Sequence, residues 1–491
     1  MRGLTQFVLP GLNGQLAAWP ARRTVPEDLA DADVTGASRT AFMLALFAVV
    51  LELVISGNTL TALGIGYDTP GGSPLVKFLP GTYFAAFGAI AAMFAGARQG
   101  RGVGYLLSEA PGLAAYLTLT AVCMVYSAVN IGITGAGVYI DTYMSAGLLA
   151  VAMMNASDRQ RTILAQVILA LCVANVLISV VEAIRQEHFI PLDIKGENGK
   201  IVDDKIAGEF RPAALYAHPL TGAMMTSFGI FLLLALDLRF STGAACFAVL
   251  AIGLLSFGGR ASLLVTVGLL VVYTMATSVR DVIRRRMNRR LIAAVFLTTA
   301  VLVPVGIYLL TATPIGERIE SRAYYDDSAR VRADQWLIFD KLSAGQFMYG
   351  IPAEDLGRTF ALVGLGGVEN PLILMFLNLG AIGLPILIAG MFVYFVYLLR
   401  AYPGSGWLLT SAILILSSSN SIGVKSPDLF MMTSCAVALR CRRNAPRRRE
   451  HIPAITQHRG LSADVVPQPP RSLLGTAANG ATRPGGLAPR T

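Results

Sequence analysis

The sequence predicts an all-α, polytopic membrane protein of about 12 transmembrane helices, and three observations carry that expectation. Hydrophobic residues make up 54% of the 491 positions and charged residues only 14%, where a soluble domain carries about 25% charged residues. The mean hydropathy is +0.59. Several apolar runs reach the roughly 20 residues that a helix needs to cross the hydrocarbon core. Alternating segments of about ten residues, the pattern of a membrane β-barrel, are absent.

Taken in order, the apolar runs place spans at 40–56, 75–97, 111–132, 138–155, 162–184, 214–236, 243–257, 261–278, 291–311, 379–399, 407–423 and 427–440. The seventh and the last two are short, which suits little tilt or a partly re-entrant path. Residues 1–39 precede them as a cytoplasmic segment. Its opening "MRGLTQFVLPGLNGQLAAW" is a poor signal peptide, because Pro10 and Gly11 break a short apolar run. Residues 441–491 follow as a basic tail rich in Arg, Pro and Gly, without apolar periodicity, and read as disordered.

Charge orients the spans. "RQGRG" at 98–102, "SDRQR" at 157–161 and "RDVIRRRMNRR" at 280–290 fall on one side in this count, with Arg22, Arg23, Arg39, Arg400 and the tail. Cationic loops stay cytoplasmic, so both termini are expected inside. The same count explains the net charge of +10 without nucleic acid. Cys123, Cys172, Cys246 and Cys435 lie in apolar runs and Cys441 just beyond. Their spacing predicts neither a disulfide framework nor a metal site.

Two long connections are left for the outer face, 185–213 and 312–370. The second lies between spans 9 and 10 and carries nine acidic and six basic residues, too polar for the bilayer. A connection of that length in a compact bundle is usually functional. Within it "DDSARVRADQWLIFDKL" at 326–342 predicts a short helix with Ser328 as N-cap. Arg332, Trp336 and Phe339 share one of its faces.

Unusual residues gather on that outer side. "FRPAALYAHPLTGAMM" at 210–225 brings Arg211 and His218 to the start of the sixth span, and "SFGGRAS" at 256–262 puts Arg260 in a tight link. Arg330 and Arg332 lie in the large loop, and Glu369 closes it in "VEN". Each has an ordinary alternative. Arg211 can snorkel at the interface, Arg330 can pair with Asp334 at the surface, and His218 can be a satisfied interfacial histidine. Glu52, Asp141 and Glu182 read as helix-end or inter-helix polar groups. Together, four outer arginines suit an anionic ligand at the membrane surface, because guanidinium forks match phosphate oxygens. A histidine or carboxylate beside them can move a proton.

Over about 205–390 the sequence resembles the O-antigen ligase and Wzy-type polysaccharide polymerase superfamily, closest to exopolysaccharide polymerases of the VpsF kind. The matching elements are "RPAALYAHPLTGAMM", "LLSFGGRASLL", and a large loop running from "SARVRADQW" through "YGIP" to "ENPLILMFLNLGAIGLPIL". Two departures stand out: Glu369-Asn370 replaces a frequent His-Asn, and Gly-Gly-Arg replaces Ser-Arg-Gly around Arg260. The resemblance implies a bacterial inner-membrane enzyme whose large loop is periplasmic. It would transfer glycan from an undecaprenyl-pyrophosphate carrier to an acceptor sugar hydroxyl. Arg211, Arg260, Arg330 and Arg332 would bind the pyrophosphate, with Glu369 or else His218 as base. It implies no metal or other cofactor, and a flippase or chain-length regulator as possible partners. A ligase moving finished glycan to lipid A-core or protein would use the same donor. An ion-coupled secondary transporter is the alternative of another class, with Glu52, Asp141 and Glu182 as coupling groups.

Overall fold

The computed structural model describes residues 34–67, 73, 76–98, 102–130, 133–191, 205–206, 209–216, 218–236, 238–283, 334–365, 368, 370–418 and 422–439. Their regular structure is helical apart from one antiparallel pair of two-residue strands, β1 (Lys205–Ile206) and β2 (Glu209–Phe210). The expected span at 291–311, most of the large loop before Asp334 (Ser328 included), and the tail from 440 lie outside the described residues.

Among the described residues, the α-helices before the loop are α1 (Val34–Val54), α2 (Gly57–Ala62), α3 (Pro80–Arg98), α4 (Gly102–Glu109), α5 (Pro111–Asn130), α6 (Ile133–Val138), α7 (Ser145–Ala152), α8 (Asp158–Arg185), α9 (Pro219–Ala235), α10 (Phe240–Phe257) and α11 (Arg260–Ile283). Beyond it come a 3-10 turn (Gln335–Lys341), α12 (Ala344–Tyr349), α13 (Ala353–Ala361), α14 (Pro371–Ala401), α15 (Gly406–Leu416) and α16 (Asp428–Ala438). Among the described residues five segments are long and apolar enough to cross a membrane: α5, α8, α10, Arg260–Ser278 of α11, and α14.

Local chemistry sets the helix starts. Pro opens α3, α5, α9 and α14, where its missing N–H is one that the first turn could not pair anyway. Ser157 and Gln160 form a reciprocal capping box on α8, satisfying two otherwise orphaned amides. Two helices are apolar all round and therefore sit inside. Every residue of α16 is buried, and α9 is buried along nearly its whole length. The shortness of the final run thus reflects a core helix wrapped by its neighbours. Around this centre α1 packs on α3, α3 on α7, and α8 on α9 and α10.

The run expected as one helix at 138–155 is continuous over Ala136–Ala152 but changes its winding inside. Tyr139–Met144 between α6 and α7 is π-helical, and such wide turns re-aim side chains. Another expectation is corrected at Arg161. Counted as a loop cation, it is 2% exposed and donates to the carbonyls of Ala156, Met153 and Val437, with its guanidinium over the Tyr402 ring. It caps the carboxyl ends of two buried segments, where carbonyls lack helical partners.

Residues 334–377 make a second, smaller core of Ile338, Ile351, Leu365, Val368, Ile373, Leu374 and Leu377. Trp336 and Phe339, expected on one helix face with Arg332, stack with ring centres 5.8 Å apart, while Arg332 lies outside the described residues. "YGIP" meets "NLGAIG" here. The Ile351 amide donates to the Leu377 carbonyl at 2.6 Å, and Gly380 interrupts α14 with φ 64°. A side chain at Gly380 would strike the Met348 carbonyl, and one at Gly350 the Asn378 carbonyl. Glycine is needed at both places because the two backbones touch.

Candidate functional site

The stretch 211–216 is a non-helical strap lying across one face of α8. Asn175, Ser179 and Glu182 are buried on that face, spaced four and three residues apart. The Asn175 carbonyl oxygen accepts the Leu215 amide at 3.1 Å, and Ser179 meets Ser256 of α10 at 3.2 Å. Glu182 does most of the fastening. Its Oε2 accepts the amides of Ala213 and Ala214 at 2.9 and 2.8 Å, and its Oε1 accepts that of Phe189 at 2.9 Å. His188 Nδ1 lies 3.7 Å from the same carboxylate, with its ring 4.5 Å from that of Phe210. Ala214 adopts φ 54°, a left-handed geometry costing a non-glycine residue roughly 1–2 kcal/mol. The paired hydrogen bonds to Glu182 offset that cost.

This fastening sets the direction of Arg211 and His218. His218 is the N-cap of α9, and its Nδ1 accepts the Leu220 amide at 3.2 Å. A ring nitrogen that accepts carries no proton, so the neutral imidazole bears its hydrogen on Nε2. In this geometry His218 offers an N–H to a ligand and is not a base at Nε2. The residue keeps an exposed surface. Arg211 is half-buried beside it.

Arg260 reaches the same end of the bundle. Gly258, at φ 68°, closes α10, and Arg260 begins α11 with its side chain exposed. Gly259 between them presses against Ala223, five residues into α9 from His218, or about 7 Å along the axis. Arg211 and His218 thus lie at the amino-terminal end of α9, and the link that carries Arg260 passes the same helix at Ala223. Arg330, Arg332 and Glu369 lie outside the described residues. Their described neighbours are tied together: Gln335, fully buried, accepts the Asn370 amide at 3.1 Å, and Asn370 caps α14.

A second polar centre, which the sequence only partly signals, surrounds the π-helical turn. Asp141 accepts hydrogen bonds from Tyr67 Oη (2.9 Å), Thr82 Oγ1 (2.8 Å) and the Leu79 amide (3.3 Å). Lys425 Nζ is 3.7 Å from its Oδ2 and 3.3 Å from the Tyr67 ring centre. Thr142 and Tyr143 hold the same connecting segment through the carbonyls of Val424 and Ile422. Lys425 escaped the sequence reading, although a lone lysine between two apolar runs is the signal that would have found it.

Glu52 is different. It is 3% exposed, and neither carboxylate oxygen has a hydrogen-bond partner among the described residues. Beside it lies a cavity of about 70 Å³ lined by Ser56, Asn58, Tyr216, Thr221 and Lys425 among others. Among the described residues no three His, Cys, Asp or Glu side chains form a metal-binding group. No protein-family model matches the chain, and no curated protein matches it.

Proposed function

We propose that this chain is a polysaccharide polymerase of the exopolysaccharide or O-antigen type. It would take glycan from an undecaprenyl-pyrophosphate carrier at the periplasmic face and pass it to an acceptor sugar hydroxyl. The observation that carries this reading is the placement of Arg211 and His218 at the amino-terminal end of α9, with the link that carries Arg260 passing the same helix at Ala223. In this proposal the chain crosses the bacterial inner membrane twelve times with both termini cytoplasmic. The residues 312–370 then form the periplasmic loop and deliver Arg330, Arg332 and Glu369 to the same mouth.

The chemistry follows from charge. As the bond from the anomeric carbon to the carrier breaks, the departing pyrophosphate gains negative charge, and prepositioned guanidinium groups stabilise it. His218, donating through Nε2, adds a neutral hydrogen bond to the same phosphate oxygens. That role leaves Glu369 as the group to take the proton from the attacking hydroxyl. A deletion strain carrying Arg260→Ala tests the reading: loss of high-mass polymer with accumulation of short lipid-linked repeats supports it. Full polymer left on its carrier assigns the chain to ligation instead, and normal polymer contradicts both.

One observation favours a reading of another class. The unpartnered Glu52 beside Asp141 and Lys425 is the kind of intramembrane carboxylate that ion-coupled transporters use. Ion-driven flux in proteoliposomes, unaltered by Arg260→Ala, would establish that reading.

A further inference from the structure

Independently of the glycan-transfer reading, we infer that the cavity beside Glu52 is a binding site for one alkali cation. Charge and packing both lead there. Glu52 is buried, and its two oxygens lack hydrogen-bond partners among the described residues. An ionised carboxylate in that state is strongly disfavoured unless a counter-charge joins it.

The nearby charges do not supply one. Lys425 is committed to Asp141 and to the carbonyls of Tyr67 and Lys77. Lys77 turns its ammonium to the Gly66 carbonyl at 2.5 Å. Asp428 is acidic and begins α16. The amino-terminal end of α3, which meets Glu52 at Gly81, contributes about half a unit of positive charge. With Lys425 set against Asp141, Glu52 leaves about one negative charge less the half unit from the helix end, and Asp428 adds no positive charge; that remainder fits a monovalent ion better than a divalent one.

The lining has the matching chemistry. Ser56 and Thr221 offer hydroxyls, Asn58 an amide oxygen, Tyr216 a phenol and Glu52 a carboxylate. Lys425 and Met431 also line the cavity, but with the ammonium held by Asp141 and two carbonyls the groups left to ligate are oxygens, which suit a hard cation. At about 70 Å³ the space holds one ion with a few waters, since each water occupies roughly 10–15 Å³ of such volume. The site joins α1, α2, α9 and the segment before α16, so occupancy would fasten the two halves of the bundle.

The test uses the full-length protein in detergent at fixed ionic strength, with choline chloride exchanged for sodium or potassium chloride. Wild type should show a saturable rise in Tm of about 3 °C with at least one alkali ion, the size expected for a ligand near tenfold above its Kd. Glu52→Gln should lose that response, and Thr221→Val should shift it to higher salt. Equilibrium binding of radioactive sodium and rubidium to wild type gives a second readout if a variant fails to fold. A wild-type Tm indifferent to the cation, with no ion bound, overturns the inference. So does stabilisation by acid alone, which would make Glu52 a proton site only. Polymer synthesis is not the readout, so failure here leaves the reaction class untouched.

Discussion

Glu182 and Glu52 are both apolar-run carboxylates, and the fold buries both almost completely. At Glu182 three backbone amides converge on the two oxygens. At Glu52 no donor arrives among the described residues, and a cavity opens instead. The contrast separates two uses of a buried charge. Glu182 is a fastener that shapes the strap and presents Arg211 and His218 to the outside. Glu52 is an unmet demand of the kind that a ligand satisfies.

The largest expected effect comes from removing the fastener. Glu182→Ala leaves the Phe189, Ala213 and Ala214 amides unpaired, at roughly 1–3 kcal/mol for each buried group. We expect little monodisperse protein by detergent size-exclusion, and wild-type yield would break the contrast. Next in size is Gly380→Ala, which combines a positive φ with contact against the Met348 carbonyl. A loss of ~1–3 kcal/mol is expected, read as a lowered Tm. Arg260→Ala should change stability by no more than about 0.5 kcal/mol, because the side chain is exposed, yet abolish high-mass polymer. A protein that unfolds as the arginine is removed would assign Arg260 to the fold.

Much of the architecture was legible because apolar length and proline placement are local signals. The helices at 111–130, 158–185, 240–257 and 260–283 lie where the runs and the Gly-Gly link predict them. "YGIP" and "NLGAIG" were visible as motifs, but their reason, two backbones in contact, is tertiary. The same limit hid the burial of Arg161 and the partnership of Lys425 with Asp141, whose residues are 284 positions apart. Arg211, His218 and Arg260 were nominated from residue type. That His218 accepts an amide, and so donates outward, required the geometry of the N-cap. Glu52 and Glu182 looked alike in sequence, since hydrogen bonds to backbone amides leave no trace in residue identity.

The most direct measurement is the pair of Tm values for Glu182→Gln and Glu52→Gln in choline buffer, where neither site holds an alkali ion. The account predicts that Glu182→Gln falls well below wild type, because an amide cannot accept all three backbone bonds without turning its NH₂ toward a donor. Glu52→Gln should match or exceed wild type, because neither oxygen of Glu52 has a hydrogen-bond partner to lose among the described residues. Equal losses in the two variants would contradict it.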